Sequence, residues 1–330
     1  MKAIIPVAGA GTRLRPLTYS KPKALLPVGS KPIIAHIVDS LIPLGCDSLV
    51  LIISPGGESI SRFIEKNYPT IKVESVIQEN PKGLGHAVSL AKDTVHKEDI
   101  VVVYGDTIID GDLSEITDCK ADGLIAVKEV DDPRRFGVVN ISDGFITELE
   151  EKPSVPRSNL AIIGCNYFKS PDLLFQCLDE IIEKDIKTRG EYQITDAFQL
   201  MIERGQKLKA MPIEGWFDCG TPQALLETNR YMLSKERKEI IVSGSVIIPP
   251  VSIPENATVT QSIIGPYVSI GSGSIIEHSI ISDSIIGAET TVKNMLLVQS
   301  LIGDNAKIKN KPKKMTIGDN SGLDFGVNEY

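Results

Sequence analysis

The stretch Lys2–Val28 reads KAIIPVAGAGTRLRPLTYSKPKALLPV. It joins a short apolar run to a glycine-rich loop, and Asp39 is the first acidic residue of the chain. An apolar strand followed by such a loop can bring backbone N–H groups close to a phosphate. The stretch therefore predicts an α/β fold with a site for a small anion. The loop carries four basic residues, Arg13, Arg15, Lys21 and Lys23.

The glycine loop fits neither of two common nucleotide-binding signatures. A dinucleotide fingerprint requires G-x-G-x-x-G, and Leu14 stands where the third glycine belongs. The P-loop string G-x-x-x-x-G-K-[ST] does not occur in the sequence. Arg13 is able to bind two phosphate oxygens at once, and Lys23 adds a compact positive charge. We therefore predict a loop that binds a polyphosphate.

Composition and charge narrow the class of protein. The chain has 330 residues, 42% of them hydrophobic, and a net charge of −8, so binding to nucleic acid or to an anionic membrane is not expected. The five cysteines include no C-x-x-C pair, which favours free thiols in a reducing compartment. No apolar run approaches the length of a membrane span. We expect a cytoplasmic protein with small-molecule partners.

Apolar runs alternating with helical patterns predict a doubly wound, mixed, Rossmann-like sheet in the first part of the chain. Because ligands bind beyond the carboxyl ends of the strands in such sheets, the glycine loop and Asp106 are expected at one edge. A last helix is predicted over Thr221–Arg237. The clearest predicted strands are Lys2–Val7, Ser48–Ser54, Ile71–Gln78 and Asp99–Asp106.

The last part of the chain has a different pattern. Apolar residues recur there at steps of six, which is typical of a left-handed parallel β-helix, here of about five coils. We therefore predict two domains, at residues 1–240 and 241–330. Because His278 is the only histidine of the tail, no acyl-transfer site is predicted, and the β-helix is expected to be structural and a contact in a homo-oligomer. The periodic residues are Ile264, Ile270 and Ile276, then Ile286 and Val292, then Ile302 and Ile308.

Six motifs follow one another along residues 1–235, and together they resemble the sugar-1-phosphate nucleotidyltransferases, or nucleotide-sugar pyrophosphorylases. The glucose-1-phosphate thymidylyl- and uridylyltransferases are the most similar subgroup. The resemblance implies direct attack of a sugar 1-phosphate on the α-phosphorus of a nucleoside triphosphate, assisted by Mg²⁺. The motifs are GAGTRL with KPKALLPV (Gly9–Val28), QENPKGLGHAV (Gln78–Val88), YGDTI (Tyr104–Ile108), EKP (Glu151–Pro153), GEYQITDAF (Gly190–Phe198) and WFDCG (Trp216–Gly220).

The resemblance also implies roles for individual residues. The implied catalytic residues are Arg13 on the departing pyrophosphate, Lys23 near the α-phosphate and Lys152 on the sugar phosphate. Asp106 and Asp218 would hold Mg²⁺, a cation that takes a few carboxylates together with phosphate oxygens. The implied nucleotide-binding residues are Ala8, Gly9, Gly11, Thr12, Gln78 and Gly83. The implied sugar-binding residues are Gly137, Glu151, Asn166 and Tyr192.

Gln78 and Gly83 predict a pyrimidine base. A glutamine amide offers one donor and one acceptor group, and a glycine leaves its backbone open to a planar ring, which together match the edge of uracil or thymine. Ala24 stands where some thymidylyltransferases have a glutamine, which weakens an assignment to that subgroup. Because the methyl of thymine alters only one apolar contact, UTP and dTTP both remain candidates. Glucose 1-phosphate is the expected sugar substrate.

Two other functions stay open at this stage. A mannose-1-phosphate guanylyltransferase would share the motifs but prefer GTP. A catalytically silent protein that only binds nucleotide sugars would keep the same fold.

Overall fold

The structure is a computed structural model that describes residues 1–236, 239–311 and 314–319. It confirms the predicted fold class, a mixed α/β sheet followed by stacked parallel strands. The strands of the first region are β1 Lys2–Pro6, β2 Pro27–Val28, β3 Lys31–Pro32, β4 Ser48–Ile53, β5 Lys72–Ile77, β6 Ile100–Val103, β7 Thr107–Asp110, β8 Gly123–Glu129, β9 Gly137–Ser142, β10 Phe145–Glu151, β11 Leu160–Phe168, β12 Leu208–Pro212 and β13 Gly215–Asp218. The helices are α1 Ile33–Leu41, α2 Ser59–Asn67, α3 Leu84–Ser89, α4 Asp172–Glu183, α5 Ile194–Glu203 and α6 Pro222–Lys235.

The main sheet has the strand order β10-β9-β11-β6-β1-β4-β5, and β8 joins β12 to the antiparallel strand β11. Strands β6, β1, β4 and β5 run parallel. The central strands are apolar throughout because helices cover both faces of a sheet of this kind. Ile4 and Ile5, adjacent in β1, belong to two different hydrophobic clusters, since successive side chains of a strand point to opposite faces.

The last helix is shorter than the sequence predicts. α6 ends at Lys235, and Arg237, the predicted end, lies outside the described residues. Throughout residues 1–236, 239–311 and 314–319, every helix is too short or too polar to cross a lipid bilayer.

The carboxyl edge of the sheet brings two strand ends into contact. Gly105, just after β6, donates from its N–H to the carbonyl oxygen of Pro6 in β1 at 3.2 Å. A Cβ on Gly105 would lie 2.3 Å from a methyl carbon of Val7, so only glycine permits this approach. Asp106 is thereby held beside the loop that follows β1.

β7 and β13 form a separate antiparallel ribbon at this edge. Its register places Asp218, the last residue of β13, opposite Thr107. The N–H of Cys219 also donates to the carbonyl oxygen of Asp106 at 3.0 Å. The ribbon therefore brings Asp106 and Asp218 together although they are far apart in the chain.

Residues 246–309 form the β-helix, a prism of three parallel sheets with four strands each among the described residues. The strands are β14 Val246–Ile247, β15 Val251–Ser252, β16 Thr258–Thr260, β17 Ile263–Ile264, β18 Val268–Ile270, β19 Ile275–Glu277, β20 Ile280–Ser282, β21 Ser284–Ile286, β22 Thr291–Lys293, β23 Leu296–Val298, β24 Leu301–Ile302 and β25 Lys307–Lys309.

The coils depart in length from a strict six-residue repeat. Paired residues of neighbouring coils lie 17 or 16 positions apart, as in Val246, Ile263, Ile280 and Leu296, because the corners between strands differ in length. Four coils rather than about five are present in the described part of the chain. Many corners contain a non-glycine residue in the left-handed region, at Gln261, Tyr267, His278, Asp283, Glu289, Asn294, Gln299 and Asn305.

Buried hydroxyl groups form hydrogen bonds between neighbouring coils inside the β-helix. The Oγ of Ser279 donates to the carbonyl oxygen of Glu277 at 2.8 Å and accepts from the N–H of Met295, in the next coil, at 3.1 Å. Buried hydroxyls also link coils at Ser262, Ser274, Ser284 and Thr290. The apolar stack is a separate cluster that includes Ile264, Ile270, Ile276, Ile281, Ile286 and Val292.

Asn229 of α6 ties the two regions together. Its Oδ1 accepts from the N–H of Gly29 at 2.8 Å and from the Oγ of Ser269, in β18, at 2.7 Å. Arg230 forms a two-pronged ion pair with Asp283, at the corner between β20 and β21. The β-helix is therefore docked on α6, the helix that follows the Asp218 strand.

Candidate active site

The loop after β1 folds back on itself at Gly11. This residue has φ +58°, and its carbonyl oxygen accepts from the N–H of Leu14 at 2.9 Å and from the Oγ1 of Thr18 at 2.8 Å. A Cβ on Gly11 would lie 2.9 Å from the Cγ2 of Thr18, so the turn requires glycine. Gly9 is different, because within the described residues no atom lies within 4 Å of the position a Cβ would take there.

A first cavity of about 420 Å³ opens beside Gly9. It brings together four of the six predicted nucleotide-binding residues, Ala8, Gly9, Gln78 and Gly83, and adds Lys23 and Asp106. The other two, Gly11 and Thr12, are outside the lining that the described residues provide, and Gly11 shapes the loop instead.

Gln78 is held in the first cavity by His86, which belongs to the same sequence motif. Its Nε2 donates to the Nδ1 of His86 at 2.9 Å. Burial lowers the pKa of His86, and the positive charge of Lys82 lowers it further. His86 is therefore neutral at pH 7 and accepts this hydrogen bond, which fixes the orientation of the Gln78 amide.

Gly83 packs directly against the backbone of Tyr192. A Cβ on Gly83 would lie 2.5 Å from the carbonyl oxygen of Tyr192, and that oxygen accepts from the N–H of Gly85 at 2.8 Å. The hydroxyl of Tyr192 donates to Asp185 at 2.5 Å. Tyr192 thus supports the first cavity through its backbone, and its side chain is absent from the cavity walls that the described residues form.

Two acids and two cations meet at the mouth of the first cavity. The Nζ of Lys23 lies 2.7 Å from the Oδ2 of Asp106. A Cβ on Gly220 would lie 3.0 Å from the Nη2 of Arg13 and 2.8 Å from the Oδ1 of Asp218, so these two side chains approach the same point. The four residues Arg13, Lys23, Asp106 and Asp218 are the charged cluster.

The charged cluster contains one unfavourable carboxylate. Burial raises the pKa of Asp218, and the negative charge of Asp106 raises it further, while Lys23 and Arg13 partly offset both effects. Two carboxylates at separate strand ends that repel each other fit a bound divalent cation. In the described part of the chain, no group of three His, Cys, Asp or Glu side chains is arranged to hold a metal ion. Two carboxylates agree with Mg²⁺ all the same, because this ion usually takes one or two carboxylates together with phosphate oxygens.

A second cavity of about 620 Å³ lies on the other side of the charged cluster. Glu151 is oriented there on both oxygens: the Oγ1 of Thr195 donates to Oε2 at 2.8 Å, and the Nζ of Lys152 lies 2.9 Å from Oε1. Gly137 stands opposite Glu151 in the β9–β10 pair, and a Cβ there would lie 2.9 Å from Oε2. This wall presents an acid and a base side by side.

Lys152 has an unusual backbone for a lysine. Its φ is +47°, in the left-handed region, and its N–H donates to the carbonyl oxygen of Phe136 at 2.9 Å. The guanidinium of Arg189 donates to the carbonyl oxygen of Lys152 at 2.7 Å. A strained backbone held from both sides is a feature of functional positions, because it fixes where the side chain begins.

Asn166 is not brought to the second cavity. It is fully buried within β11, and the lining formed by the described residues uses Ile162 and Ile163 of that strand instead. The pairing of β11 with β8 shifts register between Ile162 and Asn166, so the direction of the side chain differs from that expected for a regular strand.

Sequence reasoning missed several residues that line the second cavity. Arg134 and Arg135 come from the string DDPRRFG and Arg189 from KTRGEYQ, where adjacent basic residues were the only available signal. Leu84, Tyr104, Asp106 and Glu191 line both cavities, so the two form one continuous cleft. The missed lining residues are Tyr104, Arg134, Arg135, Phe136, Arg189, Glu191, Gln193 and Trp216.

Comparison with known sequences finds relatives along the whole chain. Residues 2–235 match the family model for nucleotidyl transferases. The chain is 32% identical to the low-salt glycan biosynthesis nucleotidyltransferase Agl11 of Haloferax volcanii, over 98% of this chain and 99% of that protein. It is 28% identical to a glucose-1-phosphate thymidylyltransferase of Streptomyces griseus, over 97% and 98% of the two chains. It is 36% identical to the UTP–glucose-1-phosphate uridylyltransferase AglF of Haloferax volcanii, over 68% and 93%.

Solved structures match the larger part of the chain. A Bacillus anthracis protein assigned as a glucose-1-phosphate thymidylyltransferase is 32% identical, with a TM-score of 0.61, over 70% of this chain and 95% of that one. A UDP-glucose pyrophosphorylase in complex with UDP-glucose is 25% identical, with a TM-score of 0.63, over 71% and 99%.

Proposed function

Since the chain belongs to the nucleotidyl transferase family, we propose that it transfers a nucleotidyl group from UTP or dTTP to a sugar 1-phosphate, releasing pyrophosphate. The family membership agrees with the resemblance inferred from the six motifs. The observation that carries the proposal is the charged cluster at the junction of the two cavities. Joining two anionic substrates there requires fixed positive charge, which Arg13 and Lys23 supply.

Each predicted catalytic residue has a proposed role in the transfer. An oxygen of the sugar phosphate attacks the α-phosphorus, a new P–O bond forms, and the bond to the β-phosphate oxygen breaks. Arg13 stabilises the charge that develops on pyrophosphate, and Lys23 stabilises the α-phosphate. Lys152 holds the attacking phosphate from the second cavity. Since the attacking oxygen is already an anion, the reaction needs positioning and charge stabilisation rather than a general base.

Nucleotidyltransferases of this family generally use a divalent metal ion. We propose Mg²⁺, held by Asp106 and Asp218 together with the substrate phosphates. When bound, the ion neutralises phosphate charge and replaces the repulsion between the two carboxylates with shared coordination. Lys23, which pairs with Asp106 here, then serves the α-phosphate.

The base is proposed to be uracil or thymine. The support is the fixed amide of Gln78, whose hydrogen bond to His86 commits one N–H and sets the direction of the remaining amide group. Relatives named for dTTP chemistry and for UTP chemistry both occur, which agrees with acceptance of either nucleotide. A site built on such hydrogen bonds rejects guanine, because a mismatch leaves buried polar groups unpaired.

The test is a pyrophosphate-release assay with UTP, dTTP, GTP and ATP against several sugar 1-phosphates. UTP or dTTP is expected to exceed GTP and ATP by at least about tenfold in kcat/KM, and Gln78→Glu is expected to erode that preference. If GTP is the best substrate, the guanylyltransferase alternative replaces this proposal. If no combination releases pyrophosphate, the chain is a silent nucleotide-sugar-binding protein.

Glucose 1-phosphate is the proposed sugar substrate. The relatives named for glucose 1-phosphate support it, as does Glu151, whose carboxylate is held by Thr195 and Lys152 in a position to accept hydrogen bonds from sugar hydroxyls. We propose Gly137 as a partner through its backbone. Asn166 and Tyr192 are also proposed as sugar-binding residues, and their side chains lie outside the cavity walls that the described residues form. Tyr192 in addition supports the first cavity through its backbone.

We propose a homo-oligomer whose subunits meet through one face of the β-helix. On the sheet of β14, β17, β20 and β23, paired residues stack into an outward apolar ladder of Val246, Ile263, Ile280 and Leu296, with Leu296 71% exposed. Of the other two faces, one packs on α6 and one carries the Lys293–Glu277 ion pair. A contiguous apolar ladder of this kind favours burial against a second copy. Light scattering should show a multiple of the chain mass, and Leu296→Glu should reduce it.

We propose that residues 1–240 and 241–330 are the two domains, supported by the separate apolar stack inside the β-helix. We propose the cytoplasm as the compartment, supported by free thiols at all five cysteines.

A further inference from the structure

The four cations of the glycine loop have different surroundings. Arg13 and Lys23 belong to the charged cluster, and the guanidinium of Arg15 lies over the ring of Tyr19 at 5.1 Å. Lys21 forms an ion pair with Asp304, which lies between β24 and β25 of the β-helix. The loop that carries the catalytic cations is therefore in direct contact with the second domain.

Asp304 is oriented toward this contact by its own coil neighbours. Its Oδ1 accepts from the N–H of Ala288 at 2.9 Å, and its Oδ2 faces Lys21. The Lys21 and Asp304 side chains are only 27% and 26% exposed. A carboxylate held in place loses little side-chain entropy on pairing, and partial burial reduces screening by solvent, so this pair is stronger than a typical surface pair.

Apolar contacts accompany the ion pair. Leu17 packs against the core of the first domain together with Leu301 of β24. The position of a Cβ on Gly303 would lie 3.5 Å from the Cδ2 of Leu17. A cavity of about 340 Å³ lined by Leu17, Lys21, Leu301 and Asp304 lies between the loop and the β-helix, so the fit leaves room for movement if the pair is lost.

The loop depends on such outside contacts for its shape. Its regular structure consists of three-residue 3₁₀ turns, at Thr12–Leu14, Leu17–Tyr19 and Lys23–Leu25. Turns of this length are weak by themselves, because few hydrogen bonds offset the entropy lost in ordering the chain. The position of Arg13 and Lys23 is therefore sensitive to what holds Leu17 and Lys21.

The β-helix has a second anchor in the first region, helix α6. Asn229 and Arg230 of α6 bind it, and α6 begins at Pro222, shortly after Asp218. The β-helix thus contacts both the loop of Arg13 and Lys23 and the helix that follows Asp218.

We propose that Asp304 is a positioning residue for nucleoside triphosphate binding, acting through Lys21 on the loop that carries Arg13 and Lys23. The inference rests on the proposed function for its substrate, and it gives the β-helix a part in the reaction beyond assembly. Lys21, paired with Asp304, orients the loop and leaves the polyphosphate to Arg13 and Lys23.

The test is Asp304→Asn in the full chain. Asparagine keeps an oxygen for the N–H of Ala288 and removes the charge that Lys21 requires. KM for the nucleoside triphosphate is expected to rise about fivefold, the effect of losing one partly buried ion pair, while kcat and KM for the sugar 1-phosphate stay within about twofold. Lys21→Met should give the same change, and the double variant should be no worse than either single variant.

The matched control is Glu277→Gln, which removes the Lys293–Glu277 pair from a β-helix face away from the loop. Its side chains have similar exposure, 32% and 29%, and lie 2.7 Å apart. This variant is expected to keep wild-type kinetics. If Asp304→Asn lowers Tm but leaves KM for the nucleotide unchanged, or if both KM values rise together, Asp304 is merely structural and the inference is wrong.

Calorimetric titration with inorganic pyrophosphate separates this inference from the proposed function. Wild-type turnover tests the function, whereas pyrophosphate binding reports on the loop without turnover. Asp304→Asn is expected to bind pyrophosphate about fivefold more weakly than the wild type and Glu277→Gln. Equal affinity in all three proteins would overturn the inference whatever the turnover.

Discussion

The sheet region and the β-helix differ in how their polar groups are paired. In the sheet region, Asp106 and Asp218 come from distant chain positions to one cleft, and burial together with repulsion from Asp106 raises the pKa of Asp218. In the β-helix, buried hydroxyls such as those of Ser279 and Thr290 find partners in neighbouring coils. A buried carboxylate with a raised pKa, such as Asp218, is typical of a ligand-binding site. Buried hydroxyls that all have hydrogen-bond partners are typical of a structural scaffold. Substitutions in the charged cluster should therefore affect mainly activity, whereas substitutions of the buried hydroxyls inside the β-helix should affect mainly stability.

The largest effect is expected from the loop cations. Arg13→Ala and Lys23→Ala should each slow turnover by roughly 10²–10³-fold in the pyrophosphate-release assay, the usual result of losing one preorganised charge contact. Melting temperatures should change little, because both residues lie on a loop. Arg15→Ala is the matched control from the same loop and should stay within about twofold. Near-normal turnover in both test variants would refute the phosphate-binding role.

Next come the two carboxylates. Asp106→Asn and Asp218→Asn should each slow turnover by about 10²-fold and weaken its dependence on Mg²⁺, because each removes a charged oxygen ligand. Activity should be lost in excess chelator. Full activity there would contradict the metal role of both residues.

Asp218→Asn should also stabilise the metal-free protein. The raised pKa of Asp218 means that the folded state holds its proton more tightly than the unfolded state. Stability from this group is therefore greatest at low pH and falls as pH rises through the ordinary and then the raised pKa. At pH 7 the asparagine variant should melt higher than wild type in thermal unfolding without metal. An unchanged or lower Tm would count against a strained carboxylate.

A smaller effect is expected from His86. Its lowered pKa keeps it neutral above about pH 6.5, so the Gln78 amide stays fixed and the ratio of kcat/KM for UTP over GTP should be constant there. As pH falls through the lowered pKa, His86 gains a proton and can no longer accept from Gln78. The ratio should then fall, by up to about tenfold. His86→Gln, which does not titrate, should show a flat ratio; an identical pH profile would refute the link.

The smallest effect on activity is expected inside the β-helix. Ser279→Ala leaves the N–H of Met295 without its acceptor and should lower the free energy of unfolding by about 1–3 kcal/mol, measured by urea denaturation. Turnover should remain within about twofold. Ser300→Ala, at another corner of the β-helix and more exposed, should destabilise less. A large loss of turnover in Ser279→Ala would contradict a purely structural role for the buried hydroxyls of the β-helix.

The fold was predictable where burial imposes a pattern. β1, β4 and β6 are apolar on both faces, so their sequences indicate strands without ambiguity. β7 and β13 are short and half-buried, with little periodicity, and only their pairing makes them strands. The β-helix follows from its repeated isoleucines, but its coil length does not, because the corners vary independently of the buried positions.

The candidate site was predictable where a motif adjoins a strand end. Lys23 and Asp106 form an ion pair at the edge expected from the loop and from β6. Asn166 lies outside the cleft lining that the described residues form, in a strand whose pairing shifts register between Ile162 and Asn166. Gly164, with φ +80°, lies inside that stretch, but a glycine within a strand pattern indicates a bulge only weakly. The pair between Lys21 and Asp304 joins residues 283 positions apart, so only the folded chain reveals it.

The left-handed corners of the β-helix have a consequence for engineering heat resistance. Gln261, His278 and Asn294 occupy equivalent corners of successive coils, all with positive φ. For a residue with a Cβ this conformation costs roughly 1–2 kcal/mol, and asparagine tolerates it better than glutamine or histidine. Replacing these corner residues with ones that adopt positive φ more readily should therefore raise the free energy of unfolding, at positions far from the cleft. A more thermostable catalyst can be sought there with the cleft left untouched.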